Sequence, residues 1–182
     1  GVNVSTVFGQ LSEKLKGKIP GTEHNSGFWA SGISLVIHPF SPKIPAIHMN
    51  TRYIVTKEHW FGGGIDLTPT FPNYNETNFF HNELRDICNK YNSSCYEEYS
   101  KWCEKYFFIP HRKEPRGIGG IFFDQLNSGD WEKDFSFVKQ VGEGFRNIFP
   151  KIIYNKLNDN WTDEEKKKQL IKRGRYVEFN LI

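Results

Sequence analysis

Three consecutive glycines, Gly62, Gly63 and Gly64, sit inside a run from Trp60 to Pro69 that otherwise has the make-up of a strand. Glycine weakens a strand, because it packs nothing and gives up the most backbone freedom on ordering. It is kept there where another backbone or a flat ligand comes close. A phosphate-binding loop is excluded, since no Lys-Ser/Thr pair follows the glycines and no helix begins there. Just upstream, Ile47 to Thr56 is β-branched and alternating, with a turn-like Lys57-Glu58. The glycine run is its hairpin partner, closed by Pro69 and Pro72, so the first third of the chain reads as antiparallel sheet.

Ile33 to His38 is a short apolar strand ended by Pro39, and Pro39, Pro42 and Pro45 stiffen the connection. Thr77 to Lys90 sets Phe80, Leu84, Ile87 and Tyr91 on one helical stripe. Ser94 with Glu97 is the signature of a capping box for a second helix, to about Phe107. Gly119 to Leu126 reads as a buried strand, and Ser128 or Asp130 caps a helix carrying Trp131, Phe135, Val138 and Val141. Thr162 with Glu165 opens a polar helix to about Lys172, and Arg175 to Ile182 closes as a strand. Clustered strands followed by mixed helices and strands give the α+β class, with helices covering a largely antiparallel sheet.

At 182 residues the chain suits a single domain, 1–182, able to bury a sizeable core. Its net charge of +3 is not concentrated on one face: Lys166-Lys167-Lys168 follows Asp163-Glu164-Glu165, the pattern of a solvated helix. That argues against nucleic acid as a partner. No run of 18 apolar residues marks a transmembrane segment. Cys88, Cys95 and Cys103 lack the two-residue gap of a zinc or redox motif, so buried free thiols in a reducing compartment such as the bacterial cytoplasm are expected. Gly1-Val2-Asn3-Val4-Ser5 has neither a start Met nor the layout of a signal peptide, and Asn180-Leu181-Ile182 falls inside an expected strand. The chain therefore reads as a segment of something longer.

Three stretches carry chemistry. In His48-Met49-Asn50-Thr51-Arg52, alternate residues of a strand share a face, so His48, Asn50 and Arg52 project together as a reader of anions. An exposed edge strand is the plainer alternative. Asp66 stands where the glycine backbone ends, and a lone Asp there is commonly a turn residue. Arg116, at the mouth of Gly117-Ile118-Gly119-Gly120, either forks onto a ligand carboxylate or pairs with Glu114 or Asp124. His38, His48, His81 and His111 are too widely spaced for their convergence on a metal to be read from spacing. No nucleophilic triad, P-loop or dinucleotide fingerprint is present.

Across these stretches the sequence resembles the oxygen-dependent coproporphyrinogen III oxidase family. The match lies in Ser34-Leu35-Val36-Ile37-His38-Pro39, His48-x-Asn50-x-Arg52, Trp60 to Pro69, His111-Arg112, Arg116 to Asp124, and Arg173-Gly174-Arg175-Tyr176-Val177-Glu178-Phe179-Asn180-Leu181. The resemblance implies a flat antiparallel sheet covered by helices on both faces, truncated at both ends, with 1–182 as the central portion of the catalytic domain. It implies oxidative decarboxylation of coproporphyrinogen III to protoporphyrinogen IX in haem biosynthesis, with O2 as co-substrate and no organic cofactor. His48 is then the proton donor, and Asp66 engages the pyrrole N–H groups. Ser34, Asn50, Thr51, Arg52 and Arg116 bind substrate, while His38, His48, His81 and His111 match metal ligands described for some members. A homodimer through the segment from Tyr176 onward is also implied, in the bacterial cytoplasm or, for a eukaryotic source, the mitochondrial intermembrane space. The competing readings are a non-catalytic tetrapyrrole binder of the same fold and a metal-dependent oxygenase.

Overall fold

A computed structural model describes residues 1–181. Its main sheet has five antiparallel strands in the order β1 (Val2–Gln10), β2 (Gly27–Ile37), β3 (Ala46–Val55), β4 (His59–Thr68) and β7 (Gly120–Leu126). A short hairpin of β5 (Phe108–Ile109) and β6 (Glu114–Pro115) leads into β7. Helices α1 (Tyr74–Tyr91), α2 (Cys95–Tyr106), α3 (Trp131–Tyr154) and α4 (Asp163–Leu181) complete the α+β architecture. Among the described residues, no helix is long and apolar enough to cross a membrane.

The alternation read in the sequence divides the sheet. Ile47, Met49, Ile65, Leu67, Ile121 and Phe123 enter one core with Phe80, Leu84 and Ile87 of α1 and Phe137, Val141 and Ile148 of α3. The opposite face carries His48, Asn50 and Arg52, and the C-terminal part of α4 covers part of it. Helices thus lie on both faces. α2 flanks β7 and joins the layers: Tyr99 stacks toward Phe123 in the core, whereas Tyr106 lies 4.2 Å from Phe122 on the other side. The three cysteines are buried free thiols on α1 and α2.

Three of four local readings change. β1 was not foreseen as an element, although Val2, Val4 and Phe8 alternate along it; all nine of its residues are exposed. Ser94 forms no side-chain cap, because Asn92 Oδ1 accepts from both the Ser94 amide and its hydroxyl at 3.0 Å. The Thr162–Glu165 box does form, each residue bonding the other's amide at 3.3 and 3.0 Å. The expected strand from Arg175 is instead the last turns of α4, its final residue, Ile182, lying outside the described residues. Helical spacing brings Tyr176 and Phe179 together on the Arg116 guanidinium. It also turns Arg175 to Glu114 at 2.9 Å and Glu178 to Arg112 at 2.5 Å, pairings that an alternating strand would split between faces.

α1 and α3 are tied by a buried network in which Asp134 accepts from the Tyr91 hydroxyl at 2.6 Å and the Ser128 hydroxyl at 2.7 Å. Burial, then the bond to Asp134, pushes the Tyr91 phenol up to about 12. Burial also pushes Tyr176 up to about 12. A tyrosine in the unfolded chain titrates near 10, so the unfolded state loses these protons first. Their contribution to stability is complete below about pH 10 and falls as pH rises from there toward about 12. Urea midpoints measured from pH 8 to pH 12 should therefore fall less steeply above about pH 10 in Tyr91→Phe than in the unaltered protein.

Candidate active site

The β3–β4 register places His48 opposite Asp66, Asn50 opposite Gly64 and Arg52 opposite Gly62. On the other side of β3, Ser34 faces Asn50. Directly paired residues share a face, so these side chains form one patch. His48 Nδ1 lies 2.7 Å from Asp66 Oδ1, and Arg116 Nη2 donates to Asp66 Oδ2 at 2.6 Å. The Asp66 carboxylate thus sits between an imidazole and a guanidinium, with Asp66 3% and Arg116 4% exposed. A carboxylate this deeply buried requires such partners. The Nδ1–H tautomer donates to Asp66, leaving Nε2 to accept from Asn50 Nδ2 at 3.3 Å. Asn50 Oδ1 is buried without a partner, and turning the amide over would offer it to a protonated Nε2. The same amide therefore serves both charge states of the ring.

Arg116 is held by aromatic faces, its guanidinium 3.7 Å from the Phe107 ring centroid, 4.4 Å from Tyr176 and 4.9 Å from Phe179. These rings, with Tyr106 and Phe122, wall a cavity of about 420 Å³ that His48, Asn50, Arg52 and Ser34 line from the sheet. Asp66 stands behind His48 rather than on the wall. Arg52 faces the cavity at 34% side-chain exposure, and its Nη2 is 3.1 Å from Asp124 Oδ1.

Several expected site residues fall elsewhere. Arg116 is bonded to Asp66, not to Glu114 or Asp124; it lines the cavity while only 4% exposed. Thr51 points to the opposite face from Asn50 and Arg52, as alternation requires. The glycines are approached by the chain's own atoms: a Cβ on Gly62 would lie 2.6 Å from Asp124 Oδ1, and one on Gly63 would lie 3.0 Å from the Phe123 ring. The four histidines have separate partners. His81 Nδ1 meets the Tyr96 hydroxyl at 2.8 Å and its Nε2 the Ile118 carbonyl at 2.9 Å; His111 pairs with Glu178 at 3.1 Å. His38 packs edge-on to Tyr176, 5.0 Å between centroids, and burial, followed by Arg173, pushes its imidazole down. Among the described residues, no three His, Cys, Asp or Glu side chains form a set able to hold a metal ion. The His38–His48–His81–His111 set therefore does not fit a metal. Sequence reasoning missed the roles of Phe107, Tyr176 and Phe179 around Arg116, which depend on contacts across the whole chain.

Fold and site together define an α+β protein in which a cavity-lining imidazole is backed by a buried carboxylate–guanidinium pair, within an aromatic, arginine-bearing cavity. The family model described as coproporphyrinogen III oxidase matches residues 1–182, and the chain belongs to that family. It is 56% identical over its full length to the oxygen-dependent coproporphyrinogen-III oxidase of Rickettsia bellii (strain OSU 85-389), 55% to that of Rickettsia akari and 54% to that of Rickettsia rickettsii (strain Sheila Smith). The chain spans 65% of the length of these relatives.

Proposed function

We propose that the chain is the catalytic part of an oxygen-dependent coproporphyrinogen III oxidase of the bacterial cytoplasm, as the names and sources of its relatives suggest. The observation that carries this reading is the cavity-facing His48 backed by Asp66, beside an arginine and among stacked rings. In the proposed reaction each of two propionates loses CO2 and becomes a vinyl group. Two electrons and two hydrogens pass to O2, giving one H2O2 per propionate. The electron-rich porphyrinogen supplies the electrons, so the protein has to orient the substrate and move protons.

Arg52 receives a propionate, Ser34 and Asn50 complete the polar wall, and the aromatic rings take the face of the macrocycle. His48 exchanges a proton at Nε2, with Asp66 fixing its tautomer and stabilising the imidazolium. Arg116 acts through Asp66. A homodimer through the segment from Tyr176 onward follows from the family resemblance; Val177 and Leu181, exposed at 52% and 81%, give that segment an apolar outer side.

The test is aerobic and anaerobic incubation of the full-length protein with coproporphyrinogen III, following protoporphyrinogen, CO2 and O2 uptake. Turnover should require O2, with one O2 used per CO2 released. His48→Gln should slow it roughly 10²- to 10⁴-fold. Substrate binding without O2 uptake would make the protein a tetrapyrrole binder instead.

A further inference from the structure

Two carboxylates oppose two guanidiniums on this face, Asp66 with Arg116 and Asp124 with Arg52, and the second pair is the more exposed. We propose that Asp124 is a positioning residue that holds the Arg52 guanidinium over Gly62 and competes with the ligand carboxylate that Arg52 receives. This rests on the reading of the cavity as a site for a tetrapyrrole carrying carboxylates.

Two features of the backbone exist at this point and are otherwise unexplained. The β4–β7 ladder slips between Phe61 and Gly63, so that Asp124 and Gln125 of β7 together oppose Gly62. Gln125 takes φ 53°, a left-handed value uncommon for a residue with a Cβ. Such a bulge re-aims a side chain, and here it turns the Asp124 carboxylate over β4. Gly62 then leaves the space the pair occupies: a Cβ there would meet Asp124 Oδ1 at 2.6 Å and Arg52 Nε at 2.8 Å.

The pairing is also incomplete. Arg52 Nη2 is 3.1 Å from Asp124 Oδ1, yet that oxygen is buried without an aligned hydrogen bond. A guanidinium held at one nitrogen keeps N–H groups for a second carboxylate, while the charge of the first repels it. Removing the Asp124 charge should strengthen capture of a ligand carboxylate and loosen its placement.

The full-length protein separates these effects. Coproporphyrin III, the oxidised and unreactive tetracarboxylate, serves as the fluorescent binding probe, and turnover of coproporphyrinogen III is followed in parallel. Asp124→Asn is expected to bind the probe at least about threefold more tightly while kcat falls about tenfold. In an Arg52→Ala background the gain in binding should be clearly smaller, only direct charge repulsion remaining, and kcat should not fall further. Weaker or unchanged probe binding in Asp124→Asn would overturn the proposal, as would equal effects with and without Arg52. With unaltered protein that binds and turns over normally, these outcomes bear on Asp124 alone. Unaltered protein that does neither would overturn the reading of the site, and the proposal with it.

Discussion

Asp66→Asn is expected to lower turnover about 10²- to 10⁴-fold, the range set by loss of the acceptor that positions the proton-transferring imidazole. It should also lower stability by about 3 kcal/mol, because one partner of a buried ion pair is gone. Both follow from the two bonds that the carboxylate makes, to His48 Nδ1 at 2.7 Å and Arg116 Nη2 at 2.6 Å. An amide in its place accepts at one atom only. Whichever way the amide is turned, Arg116 remains charged at 4% exposure without its counter-ion, and either it or the imidazole also loses its acceptor. Changing Arg116 to Met at the same time removes that stranded charge and leaves an apolar chain among Phe107, Tyr176 and Phe179. The double variant Asp66→Asn/Arg116→Met should therefore recover most of the lost stability but none of the lost turnover. Urea unfolding and the aerobic assay measure the two separately. Recovery of turnover together with stability would show that Asp66 does no more than hold the fold.

The legible part of this site is the part governed by strand periodicity. Residues 48, 50 and 52 share a face because side chains alternate along a strand, and the hairpin through the glycines brought Asp66 opposite His48. What alternation cannot reveal is the partner that burial demands. Arg116 lies 50 residues from Asp66, and its bond depends on β7 pairing with β4. The end of α4 was misread for a related reason. From Tyr176 to Asn180 polar and apolar residues alternate as well as in a strand, and the decision for helix lies in contacts with Arg116, Arg112 and Glu114. The bulge at Gln125 left no mark in composition, since glycine or asparagine would be the usual residue at a positive φ. The signal for β1, by contrast, was present in Val2, Val4 and Phe8.

Gly120→Ala is expected to destabilise the protein by about 3 kcal/mol or more, through overpacking and backbone strain combined. Gly120 faces Asp66 across the β4–β7 ladder, at φ +154°. A Cβ there would lie 1.9 Å from the Ile65 carbonyl oxygen and 2.9 Å from the Asp66 Cα, both backbone atoms that cannot turn aside. The substitution must push β7 off β4, at the end of the ladder where Asp66 meets Arg116. Two other glycines separate the causes. Gly129 has φ +86° with nothing within 4 Å of a Cβ, so Gly129→Ala isolates the cost of backbone conformation, about 1–2 kcal/mol. Gly142, inside α3 with equally open surroundings, should gain about 0.5–1 kcal/mol on change to Ala. Denaturant unfolding of the three variants should rank them Gly142→Ala above Gly129→Ala above Gly120→Ala. If Gly120→Ala loses no more than Gly129→Ala, close approach of the strands is not the reason for that glycine. The larger loss should carry activity with it, because a displaced β7 draws Arg116 away from Asp66 and leaves His48 without a fixed acceptor.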